Sequence, residues 1–141
     1  MDPFDDLSIA GEDLVIRRVD PNQHLATDRT NGCKRLSTKL FSASSGDNEG
    51  MSVDIPSLME QAGVSPCQYV TNPKHVGSVV FTAGSARSAL LMVGHQPVPD
   101  NPYHGQVWAR SETGRFSKGQ QRALLAAATW FVPISGVEIT S

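Results

Sequence analysis

A chain of 141 residues, 39% of them hydrophobic, is long enough to bury one core and too short for two independent domains. Its formal net charge of −2 removes the global attraction that nonspecific binding to nucleic acid or an anionic membrane needs, and no apolar stretch approaches bilayer length. Cys33 and Cys67 stand apart without CxxC spacing, and no secretion-signal pattern opens the chain, so the sequence predicts a reduced, cytoplasmic protein of prokaryotic style.

Residues 1–20 hold six acidic residues against Arg17 and Arg18. Residues 1–11 are therefore expected to form an acidic, flexible tail, with the domain running over 12–141. Residues 14–19, apolar and β-branched up to the break at Asp20 and Pro21, predict the first strand. Residues 22–35 are polar and aperiodic, which predicts a long loop. Residues 37–41 read as a short strand, and the small polar residues 42–50 as a flexible connection.

Met51 to Asp54 reads as the entry to a helix over about 55–63. Asp54 would be its N-cap, Pro56 would sit in its first turn, and Gly63 would end it. An irregular segment follows between Pro66 and Pro73, then a buried strand over 76–81. Thr82 can cap a helical turn over 83–89, while periodicity leaves residues 90–93 undecided between strand and helix. Three prolines make 96–102 irregular, and 103–110 reads as a strand. Ser117 and Gln120 form a capping box for the second main helix, over 118–130. Short strands and two helices out of strict alternation predict an α+β fold in one compact domain, with a small mixed or antiparallel sheet.

Arginine forks and hydroxyls are the usual donors to phosphate and carboxylate, and the front half of the chain holds both. Strand alternation sends Arg17 and Arg18 to opposite faces, so one of them at most is expected in any one cleft. The other reading is an ion pair with Asp13, Asp20 or Asp54. Ser37 and Thr38 are candidate hydroxyl donors, although no Gly-x-Ser-x-Gly elbow, Walker loop or GxGxxG activates or frames them. His104 stands where a proline-rich loop meets a strand, a place that gives a catalytic side chain both access and support. Alternation sets Gln106 and Trp108 on the same face as His104.

His75, His95 and His104 lie in no metal-binding spacing, and no cofactor motif occurs, so neither metal nor cofactor is expected. Two small clusters, Lys34, Arg35 and Lys39 near Phe41, and Arg110, Arg115 and Lys118 near Phe116, are too slight against the overall balance to signal nucleic acid.

Arg17 followed by Ser37 and Thr38 resembles the ADP-ribosyltransferase order of Arg, Ser-Thr-Ser and Glu. The resemblance implies NAD contacts from Arg17 or Arg18 and from Ser37, with a downstream glutamate orienting the ribose. Lys39 replaces the third serine of that pattern, and neither Glu112 nor Glu138 lies in an ExE or QxE context. Three readings follow. The first is a binding or accessory module for a protein partner or a small polar or anionic ligand, using Arg17, Arg18, Ser37, Thr38, Gln106 and Trp108. The second is a small nucleotide- or NAD-utilising enzyme with His104 as its catalytic residue. The third is a homo-oligomer joined through an exposed edge strand, over 76–81 or 103–108.

Overall fold

The computed structural model describes residues 3–43, 50–111 and 113–139. In chain order their elements are β1 (Leu14–Val19), β2 (Leu25–Thr27), β3 (Lys34–Leu36), a 3-10 turn (Thr38–Leu40), β4 (Met51–Asp54), α1 (Pro56–Gln61), α2 (Pro66–Val70), β5 (Gly77–Thr82), α3 (Ala83–Ser88), β6 (Leu91–His95), β7 (His104–Ala109), α4 (Lys118–Ala127), β8 (Thr129–Val132) and β9 (Val137–Glu138). Six strands form one antiparallel sheet in the order β6-β7-β4-β1-β5-β8, and β2, β3 and β9 form a second. The α+β expectation holds, with α4 the one described helix longer than six residues.

Alternation along β1 builds both faces of the large sheet. Val15 and Val19 join Val53, Phe81 and Val107 in the main core, closed by Ala86 of α3 and Leu124 of α4. Ile16 and Val80 face the other way and pack on Met59 of α1 and Val70 of α2. The capping box of α4 forms as expected: Gln120 N donates to Ser117 Oγ, and Ser117 N donates to Gln120 Oε1.

Several elements differ from expectation. The 22–35 stretch is not a loop throughout, because β2 and β3 pair with each other and β3 pairs in parallel with β9. The 37–41 stretch is a 3-10 turn capped by Ser37, which accepts from Lys39 N. Met51–Asp54 is a central strand, registered on β7 along its whole length, and the N-cap of α1 is Ile55. Pro66 opens a helical turn where its missing N–H costs nothing. The second main helix stops at Ala127, because Thr129, Trp130, Phe131 and Val132 suit a pleated strand better than a helix. Residues 44–49 of the expected flexible connection, and Glu112, lie outside the described residues.

The acidic head is tied down over its described residues. Asp6 N donates to Val93 O on β6, Asp5 Oδ1 accepts from Val93 N and Arg87 Nε, and Ile9 is buried. Phe4 packs on Trp108 at 5.3 Å between ring centroids. These contacts cover the β6 edge of the sheet. The two strands expected as open edges, β5 and β7, are both interior.

Gly50, at the entry to β4, has no room for a side chain: a Cβ there would lie 2.5 Å from Val107 O and 2.9 Å from Trp108 Cδ1. Because Val107 O is main chain inside the sheet, it cannot yield cheaply. Gly50→Ala is expected to lower stability by about 1–3 kcal/mol, read from the urea midpoint at unchanged slope.

Candidate functional site

The large sheet forks between β1 and β4. Only Ile16 and Asp54 are paired across them. Continuing that register would set Arg18 opposite Ser52; instead the ladder stops, and the Arg17 side chain bridges the gap. Its Nη1 donates to Ser52 O at 2.9 Å, and its Nε donates to Leu40 O, also at 2.9 Å. A cleft of about 630 Å³ opens at this fork.

Arg17 and Arg18 lie on opposite faces of β1, as alternation requires, yet both line the cleft, which opens where the β1–β4 ladder stops. The expectation that one at most would face it is overturned. Their situations differ. Arg18 is held by Asp54, with Nε to Oδ2 at 2.8 Å and Nη2 to Oδ1 at 3.1 Å, and it lies over the Tyr69 ring. Asn101 Nδ2 donates to the same Asp54 Oδ1, and Asn101 Oδ1 accepts from Tyr69 Oη and Tyr103 N. The ion-pair reading thus describes Arg18. Arg17 makes no ion pair among the described residues. Burial pushes its guanidinium down to about 10, and Asp54 only partly restores it. A cation that has left water, donates to carbonyls and makes no ion pair favours any anion able to reach it.

Three histidines line the same cleft. His104, opposite Asp54 on β7, donates from Nδ1 to Gln96 O at 2.8 Å, so its neutral ring keeps a lone pair on Nε2. His24 has the reverse arrangement: its Nδ1 accepts from Asp20 N at 2.9 Å, which puts the ring proton on Nε2. The turn that sets this up is local, with Asp20 O accepting from Gln23 N and His24 N, and Asp20 Oδ1 accepting from Asn22 N. Burial, and next Arg17, push His24 down to about 4. Burial and Arg18 also lower His75, whose Nδ1 is buried with no hydrogen-bond partner among the described residues.

The lowered histidines set a pH dependence. Between pH 6.5 and about 4 the unfolded chain binds a proton at His24 that the folded chain refuses, so this contribution is intact above 6.5 and is lost as the pH falls through the window. His75 acts with the same sign. After discounting for the partly solvated His24 ring, the expected loss is about 2 kcal/mol, which His24→Asn should flatten in urea titrations at stepped pH.

Of the residues singled out from sequence, Arg17, Arg18 and His104 come together. Ser37 and Thr38 do not line the cleft: Ser37 caps its own turn, and Thr38 Oγ1 accepts from Lys118 Nζ. Gln106 and Trp108 share the His104 face but are buried away from the cleft, Gln106 beside β4 and Trp108 under Phe4. Glu138 lies on the second sheet beside a small hollow of about 120 Å³ with Cys33 and Arg35. His95 turns its Nε2 to Pro102 O. Among the described residues no three His, Cys, Asp or Glu side chains are placed to hold a metal ion together. None of the described helices is long and apolar enough to cross a membrane. The sequence reading missed His24, Tyr69 and Asn101, and it named Asp54 among three carboxylates that could pair with the arginines. No protein-family model, curated protein or solved structure matches this chain.

Proposed function

We propose that the protein is a binding module for a small polar anion, which it takes into the fork between β1 and β4. Arg17 carries this reading: a desolvated guanidinium that makes no ion pair among the described residues, in a cleft of the size that small ligands occupy. Asp20 and Asp54 are also buried there, and Arg18 is already held by Asp54, so the site suits a singly charged ligand better than a polyphosphate.

Calorimetric titration with acetate and with inorganic phosphate tests the reading. Saturable binding that weakens with added salt is expected. No heat from either anion, together with no thermal stabilisation, would remove it.

A second reading, an enzyme acting on the same class of ligand, draws support from His104, whose Nε2 has the lone pair a general base needs. Its ADP-ribosyltransferase form is less favoured, because Ser37 is committed to its turn.

A further inference from the structure

The hydrogen-bonding groups of the cleft say more about the ligand than its charge. Two imidazoles present opposite chemistry at Nε2, His24 a donor and His104 an acceptor, each set by a main-chain partner on the other ring nitrogen. A hydroxyl both donates and accepts, so it is the group that can serve either ring. Among the described residues, the side chains of Gln23, Ser52 and Lys74 take up no hydrogen bond within the protein and also line the cleft. The aliphatic side chains among the described lining residues are Val53 and Val98. The aromatic at the site, Tyr69, has Arg18 over its ring and Tyr103 set at 83° to it with 5.2 Å between centroids, which disfavours a stacked nucleobase.

We propose that the ligand is a polyhydroxylated monocarboxylate, a sugar acid, with its carboxylate on Arg17 and its hydroxyls on His24 and His104. The proposal rests on the anion-binding reading above and adds the ligand's class. The three cations that line the cleft, Arg17, Arg18 and Lys74, are matched by Asp20, Asp54 and Asp100, so a single added negative charge is easier to accept than two. Buried polar groups that lose their partners penalise an analogue lacking the hydroxyls, which makes selectivity the natural readout.

The experiment is a calorimetric comparison of gluconate, hexanoate, sorbitol, glucose 6-phosphate and adenosine monophosphate on the intact chain. Gluconate is expected to bind at least tenfold more tightly than hexanoate, which has the same carbon chain without hydroxyls, and than sorbitol, which lacks the carboxylate. His104→Leu should bring gluconate to within a factor of two of hexanoate measured on the same variant; a circular-dichroism melt confirms that the variant is folded. Equal binding of gluconate and hexanoate, or tighter binding of glucose 6-phosphate or adenosine monophosphate, overturns the sugar-acid class and leaves the anion site standing. If none of the anions binds, acetate and inorganic phosphate included, both readings fall together.

Discussion

Asp54→Ala is expected to destabilise the protein by about 3 kcal/mol, because it strands a cation on the buried side of the sheet. Asp54 is 5% exposed in its side chain and accepts three hydrogen bonds, two from Arg18 and one from Asn101. Arg18, 25% exposed, can regain some water, which keeps the loss at the low end of the range for a broken buried pair. Asn101 loses one partner, and through it the anchor of Tyr69 Oη is loosened. The melting temperature should fall by roughly 10 °C, and Asp54→Asn, whose one carbonyl oxygen can still accept from Arg18 Nη2 and Asn101 Nδ2 while the bond from Arg18 Nε is lost, should lose less than Asp54→Ala. A loss under about 1 kcal/mol for Asp54→Ala would mean that Arg18 and Asn101 find other acceptors and that the network is not what holds α2 against the fork. The double variant with Arg18→Ala separates the pair from its parts, since removing both charges should cost less than the two single losses added.

What could be read from the sequence follows the strength of local signals. β1 and β5 are runs of β-branched residues closed by clear breaks, and the capping box of α4 is a local pattern whose partners lie three residues apart. β2 and β3 have three residues each, only half of them apolar, and exist because they pair with one another and with a strand a hundred residues on; nothing in residues 22–35 themselves announces that. Met51–Asp54 was open to misreading because an Asp two places before a Pro is the same cue for a helix start as for a strand that runs up to one. The site shows the same division. His104 could be found from its loop-to-strand junction. His24 could not, because its tautomer depends on the turn at Asp20 and its neutrality on burial and then on Arg17, which a sequence pattern does not bring together. Alternation predicted the faces of Arg17 and Arg18 correctly and still gave the wrong consequence, since it assumes a continuous sheet and this one opens beside them.

Removing the unpaired cation tests that opening directly. Arg17→Met keeps the length of the side chain and discards the fork, so binding of acetate or inorganic phosphate should weaken about 100-fold, which corresponds to about 2.7 kcal/mol. Arg17→Lys keeps the charge but not the two-pronged geometry that reaches both Leu40 O and Ser52 O, and should fall between, near a tenfold loss. Stability should move much less than affinity. The Met variant leaves two carbonyls without their donor, a cost of about 1–3 kcal/mol, but it also relieves the protein of a buried charge. Water can enter a fork that already opens into a cleft of about 630 Å³ and meet those carbonyls, which offsets the cost further. Arg18→Met is the comparison that gives the result its meaning. Arg18 is committed to Asp54, so its loss should damage folding more than Arg17→Met does and anion binding less. Were the two variants to trade these roles, with Arg18 controlling affinity and Arg17 only stability, the cation that receives the ligand would be the paired one, and the fork would be a structural device with no part in binding.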